Sequence, residues 1–276
     1  MASAENILLS VNVSVRYGNK PVLKDVRLAV RRGEVLGLVG QSGSGKSTLA
    51  LAVLGLLDRR RSRVEGSIEF EDRDLTRFSE RQMRELRGRE LALVLQSPLS
   101  SLNPALKIRT QLREAWRAHV SSASHDCDNA IRAALEGVSL PAEADFLKKY
   151  PSQMSVGQAQ RVLIAMAVLH RPALLIADEA TSALDVITQS EILALFSKLS
   201  RERGMSMLYI SHDLASVAGI CDRIVILHEG EIVECGTTEQ IFSQPQHPHT
   251  QRLMAALPKI FDRSAANSAR KAAASL

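Results

Sequence analysis

The amino-acid sequence predicts an α/β protein that has a mostly parallel sheet, an antiparallel β-subdomain at its N-terminus and an inserted α-helical subdomain. Near the N-terminus, runs of strand-forming residues at 7–16 and 22–30 flank a Tyr-Gly-Asn turn, which is typical of a hairpin. Short apolar runs then alternate with helical patterns, as they do around parallel sheets. From about residue 97 to 170 the pattern is helical, so this segment interrupts the strands.

The individual elements follow from periodicity and turn residues. The apolar run 35–39 predicts a strand, and 48–54 predicts a helix that stops near Gly55. Further strands are predicted at 67–70, 91–95, 174–177, 206–210, 223–227 and 231–234. Further helices are predicted at 79–87, 108–120, 126–136, 156–169 and 187–200. A hairpin turn is predicted at Glu229 and Gly230.

Composition limits the possible functions. With 276 residues and 45% hydrophobic content, the chain can bury a core as one domain with an insertion or as two small domains. A net charge of +5 is explained by a solvated surface, and we expect no nucleic-acid partner. The three cysteines are too scattered for a disulfide framework or a metal cage, which suits a reducing compartment.

Neither a membrane span nor a signal peptide is predicted. No stretch approaches the roughly 18 consecutive apolar residues of a spanning helix. The start, MASAENILLS, lacks the basic region of a signal peptide. We therefore expect any role at a membrane to depend on a partner.

A phosphate-binding loop is the first chemical motif along the chain. Residues 40–47 fit the pattern G-x-x-x-x-G-K-[ST] between a predicted strand and a predicted helix. Glycines let backbone N–H groups close on phosphates, and the start of a helix adds a positive dipole end. The residues predicted to bind ATP here are Gly40, Gln41, Ser42, Gly43, Ser44, Gly45, Lys46, Ser47 and Thr48. The motif predicts a P-loop NTPase core of RecA-like type.

Two further motifs lie downstream. Asp178 and Glu179 end an apolar strand, which is where open parallel sheets carry ligand chemistry. Upstream of them, Ser155 and Gln158 have the S-x-x-Q spacing of a capping box, which directs free N–H groups of the following helix toward an anion.

The three motifs, in this order, resemble those of an ABC-type ATPase, with MSVGQAQR at 154–161 as its signature peptide. In the common signature, L-S-G-G-Q, the serine and second glycine correspond to Ser155 and Gly157, whereas Met154 and Val156 depart from it. Two more segments, 96–104 and 247–258, resemble those that mark ATPase subunits of dipeptide, oligopeptide and nickel importers. The resemblance covers about residues 5 to 260.

This resemblance implies roles for single residues. Lys46 reaches the phosphates, Glu179 polarises the attacking water, and His212 contacts the γ-phosphate. Magnesium is held by Ser47, Asp178 and Gln96, the last of which also links the ATP site to the helical subdomain. Gln96 and the segment 97–104 are expected to line the groove that receives a cytoplasmic helix of the membrane subunit, with Ser100 and Leu102 within reach of it.

Other implied roles concern adenine and a second subunit. Tyr17 stacks on adenine, and Asp185 belongs to the loop at the dimer seam. The residues that face the ATP of the partner are Ser155, Val156, Gly157 and Gln158. Because a valine is bulkier than glycine, Val156 puts the contribution to that second site in question. Ala180 replaces the proline that usually follows the catalytic glutamate.

The expected organisation is an ABC ATPase cassette at 5–245 with the helical subdomain at 97–170, a family-type segment at 246–261 and a disordered tail at 262–276. ATP and Mg²⁺ are the expected ligands. Some members of the family that the chain resembles bind an iron-sulfur cluster through cysteines near the C-terminal segment. No cysteine follows Cys235 here, so no such cluster is expected.

The expected function is to energise import of peptides or a similar small solute, such as nickel, at the cytoplasmic face of the inner membrane. The expected partners are an identical or paralogous second cassette, two permease subunits and a periplasmic solute-binding protein. An exporter ATPase shares every catalytic motif and stays open as an alternative. A soluble ABC protein acting on DNA, ribosomes or metal-cluster assembly fits less well, because the chain has one cassette and lacks coiled-coil or zinc insertions.

Overall fold

The computed structural model describes residues 6–120 and 124–256, and the chain divides into two compact units. The first unit contains the chain up to Met83 and from Ser206 onward, and the second is Arg84–Met205. The predicted tail at 262–276 and residues 257–261 of the C-terminal segment lie outside the described residues. The domain limits drawn from the sequence stay predictions.

The first unit contains an antiparallel sheet and a second sheet with helices. Its elements in chain order are β1 (Ile7–Tyr17), β2 (Lys20–Arg31), β3 (Val35–Val39), α1 (Lys46–Val53), β4 (Ser62–Phe70), β5 (Arg73–Asp74), a 3₁₀ turn (Leu75–Arg77) and α2 (Glu80–Leu86), which leads into the second unit. After the second unit the chain returns to the first unit at Ser206, and the elements from there onward are given below. The antiparallel sheet has the order β2-β1-β4-β5. Successive side chains of a strand point to opposite faces, and the buried residues of β1 are all aliphatic.

The second unit begins with β6 and is mostly helical. Its elements are β6 (Leu91–Val94), α3 (Pro98–Ser101), α4 (Ile108–Arg117), α5 (Ser124–Gly137), α6 (Ala144–Leu147), a 3₁₀ turn (Pro151–Gln153), α7 (Val156–Val168), β7 (Leu174–Asp178) and α8 (Val186–Arg203). Strands β6 and β7 pair in parallel. Helices α4 and α5 are joined by Asp128, which accepts three hydrogen bonds from Arg113 and one from Arg109. These bonds lower the pKa of the Asp128 carboxyl.

The remaining elements return to the first unit. They are β8 (Ser206–Ser211), α9 (Leu214–Ile220), β9 (Arg223–His228), β10 (Glu231–Thr237), α10 (Thr238–Ser243) and α11 (Pro248–Ala255). Strand β3 lies between β8 and β9 and is parallel to both, while β10 pairs antiparallel with β9. All five residues of β3 are buried, as its continuous apolar pattern predicts.

A pair of stacked histidines holds the C-terminal helix α11 against the end of strand β9. The buried His249 ring lies 3.7 Å from the ring of His228 at the end of β9. Glu234 of β10 accepts hydrogen bonds from the backbone N–H groups of Gln246 and His247. Burial, followed by the neighbouring His228, lowers the pKa of His249, which favours the neutral form of the His249 ring.

The fold class predicted from the sequence is confirmed. Strand β3 has the predicted limits, and the other predicted strands and helices are present with shifted ends. Helix α9 escaped prediction, although Asp213 caps it by accepting from the N–H groups of Ala215 and Ser216. Among the described helices, none combines the length and apolar character that crossing a membrane requires.

Helices α7 and α8 approach closely at a glycine. A Cβ atom on Gly157 would lie 2.7 Å from Cγ2 of Thr188. The Thr188 hydroxyl donates to Asp185 at 2.7 Å, so this side chain is fixed in place. The two helices can meet here only while position 157 has no side chain.

We expect Gly157→Ala to lower the free energy of unfolding by about 1 to 3 kcal/mol, the usual cost of overpacking a fixed contact. The double variant with Thr188→Ser should recover most of that loss, since serine lacks Cγ2 but keeps the hydroxyl that donates a hydrogen bond to Asp185. Urea unfolding of the four proteins of this cycle is the measurement. If Thr188→Ser fails to compensate, the predicted clash is not the cause.

Candidate nucleotide-binding site

The phosphate loop runs from the end of β3 to the start of α1 and depends on two of its glycines. A Cβ on Gly40 would lie 2.3 Å from the Leu227 carbonyl oxygen of β9 and 2.6 Å from Oγ of Ser44. Gly45 has φ 109°, a left-handed value that glycine adopts readily. Both glycines of the sequence pattern are therefore needed by the backbone itself.

Lys46 lies folded across this loop. It is 5% exposed, and its Nζ donates hydrogen bonds to the carbonyl oxygens of Gly40 at 2.8 Å and Gln41 at 3.0 Å. The buried hydroxyl of Ser44 has no hydrogen-bond partner within the described residues. The ammonium group is thus positioned by the loop that it is predicted to serve.

These features fit a bound triphosphate. The N-cap of α1 is Gly45, which supplies no side-chain hydrogen bond to the first N–H groups of the helix. Uncapped N–H groups at a helix start attract anions, and a buried ammonium beside them adds a full positive charge. Ser47, in the first turn of α1, is exposed and can present its hydroxyl to a cation. Within the described ranges, no three His, Cys, Asp or Glu side chains form a metal cluster.

His212 lies beside the phosphate loop because two strands are in register. Val39, the last residue of β3, pairs with Ser211, the last residue of β8. Gly40 and His212 follow these two residues, so they leave the sheet at the same edge. His212 is exposed and precedes Asp213, the cap of α9. The structure therefore brings together two motifs that are about 170 residues apart in the sequence.

Tyr17 is the last residue of β1 and lies next to the turn that leads to β2. It pairs with Lys20 across the hairpin and with Ser62 of β4. Tyr17 is 36% exposed, and an aromatic side chain that is partly open to solvent can stack on a flat ligand ring.

In the second unit, the predicted metal and base residues lie at the ends of two neighbouring strands. Val94 of β6 pairs with Ala177 of β7, so Gln96 and Asp178 follow at the same edge. Gln96 is exposed, whereas Asp178 and Glu179 are partly buried. Carboxylate and amide oxygens grouped in this way suit a hard cation such as Mg²⁺.

Glu179 has an unusual backbone. Its φ is 48°, in the left-handed region that costs a non-glycine residue about 1 to 3 kcal/mol. Its carbonyl accepts hydrogen bonds from the N–H and the hydroxyl of Ser182, at 3.1 and 3.0 Å. The chain thus turns sharply at Glu179 instead of continuing β7.

The predicted capping box at the signature peptide is confirmed. Ser155 Oγ accepts from the N–H of Gln158, and the Gln158 side chain accepts from the N–H of Ser155, both at 3.2 Å. Val156 is the first residue of α7, with its side chain 39% exposed. The backbone of the signature peptide is therefore helical from Val156 onward.

Asp185 caps α8 and lies in the same unit. It accepts from the N–H and the hydroxyl of Thr188, which lower the pKa of its carboxyl. Through the contact of Thr188 with Gly157, the signature peptide and the Asp185 loop form one surface. Val186 and Ile187, which follow Asp185, are exposed aliphatic side chains on it.

Sequence reasoning missed Thr188 and was wrong about Leu102. We expected the segment 97–104 to be a partner-facing surface, but Leu102 is 1% exposed and packs inside the second unit. Ser100 and Leu99 are exposed, and so is Leu95, which follows β6. The apolar run of Leu95, Leu99 and Leu102 could have shown that one of the three packs inward.

Comparisons with known proteins identify relatives of this chain. The family model described as ABC transporter matches residues 23–182. The glutathione import ATP-binding protein GsiA of Escherichia coli (strain K12) is 39% identical over 267 residues, which is 93% of this chain and 43% of that protein. The chain spans less than half the length of the curated relatives it matches.

Solved structures give the same result. An ATP-binding cassette in a dimeric, post-hydrolysis state with ADP and Pi has a TM-score of 0.72 and 26% identity, over 83% of this chain and 98% of that one. An ATP-binding subunit of an ABC transporter has a TM-score of 0.70 and 29% identity, over 90% and 98% of the two chains. By its family match, its loop geometry and these folds, the chain belongs to the ABC transporter family.

Proposed function

We propose that this chain is the ATP-binding and ATP-hydrolysing subunit of an ABC importer for peptides or a similar small solute. The observation that carries the proposal is the phosphate loop with its buried lysine, in a chain that belongs to the ABC transporter family.

The first unit supplies the proposed contacts to the phosphates and to adenine. Lys46 lies where it can move from the loop carbonyls to phosphate oxygens, a charge-assisted hydrogen bond that is stronger than the one it leaves. Tyr17 offers a ring to adenine. Magnesium, when bound with ATP, neutralises phosphate charge, and Ser47, Gln96 and Asp178 are its proposed ligands.

Hydrolysis requires an oriented water molecule. Glu179 is the proposed base, and His212 is the proposed contact to the γ-phosphate. Proton handling of this kind commonly contributes about 10² to 10⁴ in rate. Asp178 ends strand β7 and the backbone turns at Glu179, so we propose different roles for the two carboxylates.

Transport requires partners. We propose a second cassette, identical or paralogous, whose bound ATP faces Ser155 to Gln158, with Asp185 at the seam. We also propose two permease subunits at the cytoplasmic face of the inner membrane and a periplasmic solute-binding protein. Support for import comes from relatives that are named for glutathione import, because glutathione is itself a small peptide.

Glu179→Gln should still bind ATP and accumulate as a closed dimer, but its turnover should fall by at least about 10², the contribution of a positioned base. Nucleotide binding, dimer formation and phosphate release are measured on the same sample. Near-normal turnover, or loss of ATP binding, would remove Glu179 from this role.

Lys46→Ala is the contrasting variant. Because its ammonium meets the phosphates before the reaction begins, we expect weaker ATP binding in this variant and no accumulation of closed dimer. Equilibrium binding of labelled ATP is the measurement, and an unchanged dissociation constant would contradict the assignment.

The corrected partner-facing surface can also be tested. Cysteines at Leu99 and Ser100, which are exposed, should cross-link to the permease in assembled transporter, since this segment follows Gln96 directly. A cysteine at the buried Leu102 is the control and should stay unreactive toward both permease and soluble maleimide. Equal cross-linking from all three positions, or from none, would contradict the surface.

Val156 should weaken the second ATP site. In a mixed dimer in which this chain carries Glu179→Gln and the partner keeps its own base, Val156→Gly should raise ATPase activity. The gain should be about tenfold to hundredfold if the valine displaces one amide-phosphate contact worth about 1 to 3 kcal/mol in the transition state. An unchanged rate would show that the valine is silent.

A further inference from the structure

The second unit contains a cavity of about 290 Å³ that no predicted motif uses. Four of its helical segments line it: Trp116 of α4, three alanines of α5, the residues that end α7, and Arg203 at the end of α8. The volume lies at the lower limit for small-molecule sites, so a ligand would be small.

One wall of this cavity is aromatic. The rings of Trp116 and His170 stack with centroids 5.0 Å apart and an angle of 14° between them. His170 Nε2 lies 3.2 Å from the Ala115 carbonyl oxygen, which can only accept, so Nε2 is the donor and the ring is held parallel to the indole. His119 contacts the edge of the same imidazole ring at 5.1 Å.

The rest of the apolar lining is small. Ala130, Ala133 and Ala134 come from α5, and Val168 and Leu169 complete the apolar lining. Small side chains in the same cavity as a flat aromatic wall leave room for a flat ring.

The polar lining is basic. Arg171 and Arg203 both line the cavity and are exposed, and neither has an acidic partner within 4 Å among the described residues. Gly137 helps to place Arg203, since a Cβ on this glycine would lie 2.6 Å from the guanidinium Nη2. No acidic side chain lines the cavity, so its charge favours an anion.

One buried donor also lacks an acceptor. The indole Nε1 of Trp116 is buried and has no hydrogen-bond partner in the part of the chain that the structure describes. Buried N–H groups are nearly always paired, so Trp116 carries an unsatisfied donor within the residues that line the cavity. A carboxylate pairs in bidentate fashion with a planar guanidinium, which Arg171 and Arg203 both carry.

We propose that this cavity is a binding site for a small aromatic carboxylate. The ring lies between the Trp116–His170 wall and the alanines of α5, and the carboxylate pairs with Arg171 and Arg203. The site is independent of the proposed ATP chemistry.

The experiment uses the fluorescence of Trp116, which is the only tryptophan of the chain. The full chain is titrated with benzoate as the probe, with neutral benzamide and inorganic phosphate as comparisons. We expect a saturable change with benzoate alone. No saturable change with benzoate, an equal response to benzamide, or an equal response to phosphate would each overturn the proposal.

Variants separate this role from a structural one. Arg171→Gln and Arg203→Gln should each weaken benzoate binding about tenfold, as expected for one charge-assisted hydrogen bond. Ala133→Leu should abolish binding by filling the cavity without changing charge. Lys198→Gln, which removes a positive charge from α8 outside the cavity, should bind as the unchanged chain does.

A competing explanation is that the arginines only stabilise the ends of α7 and α8, where positive charge is favourable. In that case both arginine variants would unfold more easily in urea but bind benzoate with unchanged affinity, and the proposal would fail.

Discussion

The close approach of the phosphate loop to strand β9 is the constraint on which the candidate site depends. Position 40 has no room for a Cβ between the Leu227 carbonyl and Ser44. A larger residue would push the loop away from β9, and the two carbonyl oxygens that hold Lys46 would move with it. The position of a charge that serves function is thus set by a backbone contact that serves packing.

Helix caps have a similar double use. Ser155, Asp185 and Asp213 each begin a helix, and each stands in or beside a predicted functional segment. The cap fixes the direction of the helix and the position of the residues before it.

For Asp185 the lowered pKa has a consequence for stability. The capped carboxylate stabilises the fold above the ordinary pKa of an aspartate, and this contribution disappears as the pH falls through the lowered value.

How much the sequence could predict depends on how local each cause is. Strand β3 was predicted correctly because an unbroken apolar run and a following loop motif are both local signals. The burial of Leu102 was not predicted, because the neighbouring helix α3 packs against α7, which is distant in sequence. The role of Thr188 could not be seen for the same reason, since its contact with Gly157 joins two helices.

The left-handed backbone of Glu179 also escaped prediction, because no residue type demands it at that position. A glycine at this position would have indicated a turn in the sequence, but glycine carries no carboxylate. The turn persists because the N–H and hydroxyl of Ser182 both bond the Glu179 carbonyl, and because the following Ala180 is buried. Strain of this kind is retained where the surrounding contacts outweigh it. The backbone position of the proposed base is therefore set by its neighbours Ala180 and Ser182 more than by Glu179 itself. A substitution at either of these two residues would shift Glu179 without removing its carboxylate.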